Sequence, residues 1–443
     1  MSKGLICIVT KSEASALRST LPLAHLFVSH GYEIEYVGLF DAKAAEYIRD
    51  QGFRVRSFPD YPDDLTRNAD GSMASHRKLF RSLKAWEEQL IQDCYLHYRQ
   101  SPPHLVLFEI LNTSWTTPFV KLGIPLVAFS ITLAAPFNTS IPSVHSHLVP
   151  SPGSVLLNRL RLLANWTARY KNYVVGKTMF WLKLRVLFWN TRIPVVDYKR
   201  IFREAGYKIQ WGDYAGNNFR IKIPTLYLVP KEFDFPGGTK LINRIYAGTS
   251  VQIDRKESSF DWSNVDGRRK NVYSTLGSLS QFYDESHRRN FYRAIIGAFN
   301  AEPGYNLILQ VGNRADLEGV ELPPNIYIYD WIPHMEVFGN IEMIICHAGL
   351  GTLREALYHG VPSIVLPWGG DQPGNASRIV YHNLGIRLDF YKVTAVELRT
   401  SIRRIEQDPS IRTSVNAFQR LFRENPEFSL GIDFFEERMK RTN

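Results

Sequence analysis

The same sequence unit occurs twice in this chain, once in each half. Each copy is a short apolar run, a segment with helical spacing, Gly-Ile-Pro or Gly-Val-Pro, and a second apolar run, and the copies occupy residues 105–129 and 343–366. Short, wholly apolar runs are typical of strands buried in a parallel sheet. In both copies the glycine is placed to end a helix, and the proline begins the next strand, where it removes no ladder hydrogen bond. Each copy therefore predicts one strand–helix–strand crossover.

The first half of the chain extends this alternation. Its apolar periodicity predicts strands at 4–10, 33–37, 53–58, 105–108 and 126–129, and helices at 14–30, 42–50, 75–99 and 116–122. Strands that alternate with helices indicate a parallel sheet with helices on its faces. Because the two crossover units lie far apart, we predict an α/β protein with two Rossmann-like domains rather than one large sheet.

A glycine-bearing turn follows the predicted strand 343–346 and opens a helix. Gly349 and Gly351 lie in this turn. The first N–H groups of a helix have no partner within the helix, and together with the positive end of the helix dipole they favour an anion such as a diphosphate. His347 and Thr352 flank the turn as further hydrogen-bond donors. The pattern predicts a phosphate site.

A purely structural interpretation of the same helix start competes with this one. Thr352 and Glu355 have the spacing of a capping box, in which threonine caps the helix and glutamate reaches back to the cap. The neighbouring residues favour ligand binding, because Trp331 precedes the strand and offers a surface for stacking on a base. Asp371 and Gln372 follow the next predicted strand, where sugar hydroxyls need acceptors and donors. Ligands of doubly wound sheets bind at this edge.

The stretch 331–375 resembles the nucleotide-sugar signature of the UDP-glycosyltransferase superfamily. The resemblance implies a GT-B fold of family 1 type, in which two Rossmann-like domains face a cleft. It assigns the nucleotide base to Trp331 and Ile332, the ribose to Glu355, the diphosphate to His347, Gly349, Gly351 and Thr352, and the donor sugar to Asp371 and Gln372.

Other segments resemble a narrower group, the bacterial zeaxanthin glucosyltransferases, which glycosylate a carotenoid hydroxyl. These segments are 371–382, 228–236 and the Leu-Gly-Ser at 276–278. Gly277 and Ser278 follow a predicted strand, so a small loop there can approach a phosphate closely. We expect them to form a second phosphate contact.

The resemblance also implies a division of the chain. We expect residues 1–247 to form the acceptor-binding domain, 248–270 to be a polar linker, and 271–420 to form the nucleotide-sugar-binding domain. Residues 421–443 would form a C-terminal helix that packs back on the first domain.

The chain departs from the family pattern at the position of the catalytic base. Relatives place a histidine near the start of the first long helix, where this chain has Ala16, and an aspartate where it has Glu109. Either Glu109 or Glu13 serves as base with a pKa raised by burial, or the acceptor hydroxyl needs little help, or the protein has lost catalysis. No Asp-x-Asp pair adjoins the predicted phosphate site, so we expect neither a metal nor a cofactor besides the sugar-nucleotide cosubstrate.

The net charge of +10 is concentrated in one window, since residues 110–196 contain no Asp or Glu. Within it, 154–192 mixes basic and aromatic residues, which suits the surface of an anionic membrane. The alternative is that these aromatics are the core side of two helices with a solvated basic face. Such a surface also suits single-stranded nucleic acid, but no nucleic-acid-binding motif is present and we expect no such partner.

We expect a cytoplasmic protein, peripheral to a membrane, with its three cysteines (Cys7, Cys94 and Cys346) as buried hydrophobic residues in a reducing compartment. The leading hypothesis is an inverting, UDP-dependent hexosyltransferase that glycosylates a hydroxyl of an apolar acceptor such as a carotenoid, another terpenoid or a lipid. The alternative is an inactive, transferase-like protein that binds nucleotide sugar and assists a partner enzyme. A sugar-nucleotide 2-epimerase, which can share this fold, is disfavoured by the Trp331 and Asp371-Gln372 pattern.

Overall fold

A computed structural model describes residues 2–58, 73–151, 155–188, 196–214, 219–253, 255, 259–278, 280–424 and 435. The described residues form two parallel sheets with helices on their faces, which confirms the predicted α/β architecture. We call the part built around each sheet the first and the second domain, in chain order.

The strands of the first sheet all pair in parallel. They are β1 (Gly4–Val9), β2 (Tyr32–Gly38), β3 (Arg54–Ser57), β4 (Leu105–Glu109), β5 (Leu126–Ser130), β8 (Thr225–Tyr227) and β9 (Arg244–Tyr246). Their order across the sheet is β3-β2-β1-β4-β5-β8-β9, so the order reverses between β1 and β4. A separate antiparallel pair is formed by β6 (Ile209–Gln210) and β7 (Arg220–Ile221).

The helices of the first domain follow the predicted rhythm. They are α1 (Ala14–Ser29), α2 (Ala42–Asp50), α3 (Met73–Gln100), α4 (Thr117–Lys121), α5 (Val155–Leu187) and α6 (Tyr198–Glu204). The helix α1 contains Pro22 and continues through it. The region expected to hold two helices at 154–192 is one long helix, α5, within its described part.

The second sheet has the same layout. Its strands are β10 (Lys270–Thr275), β11 (Tyr305–Gln310), β12 (Ile326–Tyr329), β13 (Met343–Cys346), β14 (Ser363–Val365) and β15 (Gly385–Arg387), in the order β12-β11-β10-β13-β14-β15. The helices are α7 (Glu285–Asn300), α8 (His334–Phe338), α9 (Leu350–His359), α10 (Gln372–Tyr381), α11 (Ala395–Gln407) and α12 (Pro409–Glu424). Here the order reverses between β10 and β13, and crevices for ligands form at such reversals.

The predicted linker 248–270 does not lie apart from the domains where it is described. Phe260 and Val265 are buried in the hydrophobic core of the second domain. Of the predicted C-terminal helix, residues 425–434 and 436–443 lie outside the described residues. Phe435 is described, and its ring centroid lies 4.8 Å from that of Phe27 on α1. The chain therefore returns to the first domain at Phe435.

The three cysteines are buried and form no disulfide. Cys7 lies in β1, Cys94 in α3 and Cys346 in β13. Burial raises the pKa of all three thiols, to about 12 for Cys94 and Cys346. Thiolates are therefore strongly disfavoured in the folded protein, as the prediction of inert, buried cysteines requires.

A buried cluster of charges joins the two domains at Asp234, which follows β8. Arg378 of α10 donates from Nε and Nη2 to Asp234 Oδ1, at 2.9 and 2.5 Å. Arg244 and the hydroxyl of Tyr246 donate to Asp234 Oδ2 from the other side. Burial alone would raise the pKa of Asp234, but the two guanidinium groups hold it below its usual value. The carboxylate thus holds one arginine from each domain.

We predict that Asp234→Ala destabilises the protein by about 3–5 kcal/mol, because it leaves two buried arginines without their counterion. The measurement is the urea unfolding midpoint. The matched control is Asp330→Ala, which removes a carboxylate from an exposed ion pair with Arg314 and is expected to cost about 1 kcal/mol or less. Equal effects of the two substitutions would contradict the role of the buried cluster.

Candidate nucleotide-sugar site

The loops that follow β10 and β13 meet at the point where the second sheet reverses its order. The His347 ring lies between Gly277 and Gly349, where an added Cβ would stand 2.4 and 2.3 Å from atoms of the ring. Side chains at these two positions would displace the imidazole. The predicted Gly-Ser loop and the predicted phosphate turn are therefore neighbours, and Ser278 lies beside this contact in the chain.

The turn before α9 has the geometry of an anion site. Ala348 has a φ of +65°, Gly349 is the residue that caps α9, and no side chain occupies the cap. Gly351 and Thr352 lie in the first turn of the helix. Burial lowers the pKa of His347 to about 4, so its imidazole is neutral at pH 7 and carries one N–H. The helix start thus offers backbone N–H groups to an anion, beside an uncharged imidazole.

The capping-box interpretation of Thr352 and Glu355 is wrong. Glu355 Oε1 accepts from Arg255 Nη1 at 2.5 Å, and Glu355 Oε2 lies 2.9 Å from His334 Nδ1. Burial raises the pKa of Glu355, but His334 and Arg255 outweigh it and keep the pKa well below its usual value. The group is a fixed carboxylate, and its remaining lone pairs are available for other hydrogen bonds.

The hydrogen-bond chain around Glu355 extends further into the second domain. The Tyr273 hydroxyl lies 3.0 Å from His334 Nε2 and donates to Gln310 Oε1 at 2.6 Å. Arg255 and His334 were not among the predicted site residues. Arg255 lies among other charged residues in a polar segment, and no sequence signal distinguishes it from them. His334 lies three residues after Trp331, within the stretch 331–375 that resembles the nucleotide-sugar signature, and that position was a visible signal.

The two residues assigned to the base differ in exposure. Trp331 is 46% exposed, so a flat ligand can stack on it, whereas Ile332 is 1% exposed and packs in the core. The side chain of Ile332 therefore supports the pocket from behind, and only its main chain can face a ligand.

The predicted sugar-binding residues lie at the start of α10. Gln372 Oε1 accepts from the N–H of Trp368 at 3.0 Å, which shapes the loop before the helix. Burial raises the pKa of Asp371. Asn375, which was not predicted, donates from Nδ2 to Asp371 Oδ2 at 2.8 Å and to the Ala348 carbonyl at 3.0 Å. Asn375 thus ties the predicted sugar-binding loop, residues 369–372, to the predicted phosphate turn before α9.

The candidate bases lie at the carboxyl ends of the strands where the first sheet reverses: Glu13 follows β1, and Glu109 is the last residue of β4. Glu109 is 1% exposed, and burial raises its pKa to about 7. Its Oε1 has no hydrogen-bond partner within the described part of the chain. Glu13 lies 3.9 Å from Lys11 in a partly exposed ion pair. Ala16, at the position of the usual histidine, is 1% exposed.

Tyr214 links these candidate bases to the sugar-binding loop. Burial raises its pKa, and the negative charges of Asp371, Asp213 and Glu109 raise it further. The phenol oxygen also lies close to the loop before Asp371, since a Cβ added at Gly370 would stand 3.8 Å from it. No sequence pattern pointed to Tyr214. Among the side chains that are described, no group of three His, Cys, Asp or Glu is placed to hold a metal, and metal independence stays a prediction.

Part of the chain is similar in sequence to a known family and to known glycosyltransferases. Residues 296–426 match the family model described as "Erythromycin biosynthesis protein CIII-like, C-terminal domain". The chain is 29% identical over 197 residues to the oleandomycin glycosyltransferase of Streptomyces antibioticus, covering 44% of each protein. It is 30% identical over 211 residues to the UDP-glucuronosyltransferase 2B7 of Homo sapiens, covering 47% of this chain and 36% of that protein. The matched region thus spans less than half the length of these curated relatives.

Solved structures match over nearly the whole chain. The glycotransferase of kitacinnamycin superposes with a TM-score of 0.67 at 21% identity, covering 99% of both chains. The calicheamicin glycosyltransferase CalG4 gives 0.65 at 17% identity, covering 100% of this chain and 99% of the other. The glycosyltransferase VinC in complex with dTDP gives 0.63 at 17% identity, covering 99% and 100%. The chain therefore has the GT-B fold of glycosyltransferases.

Proposed function

We propose that the protein transfers a sugar from a UDP-sugar to a hydroxyl of an apolar acceptor, such as a carotenoid, another terpenoid or a lipid, with inversion at the anomeric carbon. The observation that carries this proposal is the alignment of groups along one edge of the second sheet. Trp331 supplies a stacking surface, the start of α9 supplies N–H donors, and Glu355 supplies a fixed carboxylate. Asp371 and Gln372 complete the set, so that the base, ribose, diphosphate and sugar of the donor each have a candidate contact. The domain bounds expected from the sequence belong to the same proposal.

The transfer step needs one base and one stabilised leaving group. The acceptor oxygen attacks the anomeric carbon from the face opposite the diphosphate. The bond from that carbon to the phosphate oxygen breaks, and its electron pair leaves with the nucleotide diphosphate. The N–H groups and the dipole at the start of α9 stabilise the charge that develops there. Glu109 takes the proton of the acceptor hydroxyl, for which a pKa of about 7 is well matched.

The donor base is the first point to test. The relatives' names carry both uridine, in the UDP-glucuronosyltransferases, and thymidine, in the VinC complex with dTDP. We expect UDP-sugars to raise the unfolding temperature more than dTDP- or GDP-sugars in a thermal-shift screen, because a ligand that binds only the folded state stabilises it. A chain stabilised by none of these nucleotides would contradict the proposal.

We predict that Trp331→Ala weakens UDP binding about tenfold, because stacking a base on an aromatic ring contributes roughly 1–3 kcal/mol. The Trp331 ring is exposed and is not part of the hydrophobic core, so its removal should leave the fold unaffected. The measurement is the UDP dissociation constant by calorimetry. The control is Leu322→Ala, which truncates an apolar side chain of equal exposure, 46%, in the same domain and should leave the constant unchanged.

We predict that the turnover rate rises with pH through about 7 and then levels off, because Glu109 acts as base only when deprotonated. Glu109→Gln should remove this rise of the rate with pH, which is the acidic limb of the pH profile, and lower kcat about 10²–10⁴-fold. The assay is UDP release in the presence of a hydroxylated carotenoid. Glu13→Gln is tested in parallel, and the assignment is reversed if that substitution alone removes the limb. Binding of UDP without transfer to any acceptor would favour the inactive, partner-assisting protein.

The exposed apolar surface of α5 is the basis for the proposed apolar acceptor and for the proposed location at a membrane. One side of this helix packs on the first domain through the buried Leu162, Trp166 and Leu184. Large apolar side chains are also exposed on the rest of the helix, at Val155, Leu156, Leu157, Leu160, Leu163, Tyr170, Val174, Val175, Met179, Phe180, Trp181, Leu182 and Val186. A surface helix ordinarily turns polar residues to water. A helix that is apolar on both sides is best accommodated when a second apolar medium covers its outer side.

The positive charge of α5 indicates which apolar medium covers its outer side. Seven basic side chains lie among its apolar ones, at Arg159, Arg161, Arg169, Lys171, Lys177, Lys183 and Arg185, and the helix carries no acid. A second copy of the same face would repel the first, whereas anionic lipid headgroups attract it. Among the described helices, none combines the length and apolarity needed to cross a bilayer. We therefore propose peripheral contact with an anionic membrane, where apolar acceptors reside. Residues 154 and 189–192 of the predicted contact lie outside the described residues.

We predict that the protein co-sediments with vesicles of phosphatidylcholine and phosphatidylglycerol and much less with phosphatidylcholine alone, and that 0.5 M NaCl weakens the binding. The triple variant Leu156→Ser, Leu157→Ser, Leu160→Ser should lose at least about tenfold in vesicle affinity, because it removes apolar area without changing charge. The matched control replaces Ile242, Ile253 and Leu322, which are exposed elsewhere, with serine. Equal binding by the two triple variants would contradict contact through α5.

A further inference from the structure

A short segment of the first domain, 143–147, lies against the sugar-binding loop and α10. The Val144 carbonyl accepts from the Gly374 N–H at 2.8 Å. Further along, the Ser146 carbonyl accepts from Ser377 Oγ at 3.3 Å, and the His147 carbonyl accepts from Arg387 Nη1 at 2.9 Å. Between them, His145 Nδ1 lies 2.7 Å from the Gly370 carbonyl. Four consecutive residues, Val144 to His147, therefore each contribute one hydrogen bond to the second domain.

The first domain holds this segment in shape independently of the second. Asp213 is fully buried, and its carboxylate accepts from Ser143 Oγ at 2.5 Å and from the N–H groups of Val144 and Ala135 at 3.2 and 3.0 Å. Asn165 of α5 accepts from the Ser143 N–H at 3.1 Å and donates to Ser146 Oγ at 2.7 Å. The first domain thus fixes the shape of segment 143–147, and the predicted sugar-binding loop packs against it.

The bond from His145 to Gly370 has a defined direction. A carbonyl oxygen only accepts, so Nδ1 of His145 carries the proton. Burial lowers the pKa of His145, although the nearby Asp213 opposes this. Gly370 has a φ of +62° and immediately precedes Asp371. The hydrogen bond from His145 holds the carbonyl of Gly370, whose backbone is left-handed. It therefore also fixes the direction in which the chain enters Asp371.

We propose that His145 is a positioning residue for the donor sugar. Its Nδ1–H holds the turn at Gly370 so that Asp371 and Gln372 face the sugar, which makes sugar recognition in the second domain depend on a side chain of the first. This inference rests on the proposed function, because it takes Asp371 and Gln372 as the sugar contacts. The two parts of the donor then have different requirements. The second domain alone binds the nucleotide, whereas binding of the sugar also needs His145.

The test compares UDP with UDP-glucose by calorimetry on the full chain. We expect His145→Ala to weaken UDP-glucose about tenfold, as the loss of one hydrogen bond to a fixed group does, and to leave UDP binding unchanged. His145→Asn should restore UDP-glucose binding to within about threefold of the native protein, because an asparagine amide can donate from a place near that of Nδ1. The unfolding midpoint of each variant verifies that it is folded.

A backbone substitution tests the same contact without touching His145. An alanine Cβ at Gly374 would lie 2.6 Å from the Val144 carbonyl oxygen, whereas one at Gly304 in the same domain meets nothing within 4 Å. Gly374→Ala should therefore reproduce the selective loss of UDP-glucose, and Gly304→Ala should not.

Two results would overturn the inference: equal weakening of UDP and UDP-glucose by His145→Ala, or an asparagine variant no better than the alanine variant. A native protein that binds neither ligand refutes the proposed donor itself, and is thereby distinguished from a failure of the His145 inference.

Discussion

The reversal of strand order within each sheet is the constraint on which the site depends. Where the strand order reverses, the connections that follow the two neighbouring parallel strands lead to opposite faces of the sheet, so their carboxyl-end loops diverge and leave a crevice. The first sheet reverses between β1 and β4, with Glu13 in the loop after β1 and Glu109 at the end of β4. The second reverses between β10 and β13, and the loops there carry Gly277 and His347. Tyr214, whose pKa responds to both Glu109 and Asp371, marks the place where the two sets of loops approach each other.

The elements were predictable from the sequence because their signals are local. Apolar runs located β13 and β14 to within about one residue, and the helix-ending glycine of Gly-Val-Pro located the end of α9. The start of α9 was less accurate, because Gly351, which was expected in the turn, lies inside the helix. The order of donor-site groups along 331–375 was also readable, because successive strands of a parallel sheet deliver their loops to one edge. That edge is where the structure places them.

The parts that were not predictable depend on contacts between distant residues. Thr352 and Glu355 have the spacing of a capping box, and only the approach of Arg255 and His334 shows why Glu355 turns away from the helix start. A true capping box occurs in the same domain, at Thr394 and Glu397, with identical spacing. Sequence spacing could not separate these cases, because the deciding partner of Glu355 lies 100 residues away. The contact of 143–147 with α10 was invisible for the same reason.

The three buried cysteines have a practical consequence. Their thiols are protonated and shielded in the folded chain, so a thiol-reactive dye reaches them only when the surrounding structure opens. Cys7 and Cys94 lie in the first domain and Cys346 lies in the second. Mass spectrometry of the labelled peptides, sampled over time in mild denaturant, would therefore show which half of the molecule opens first, without any engineered probe.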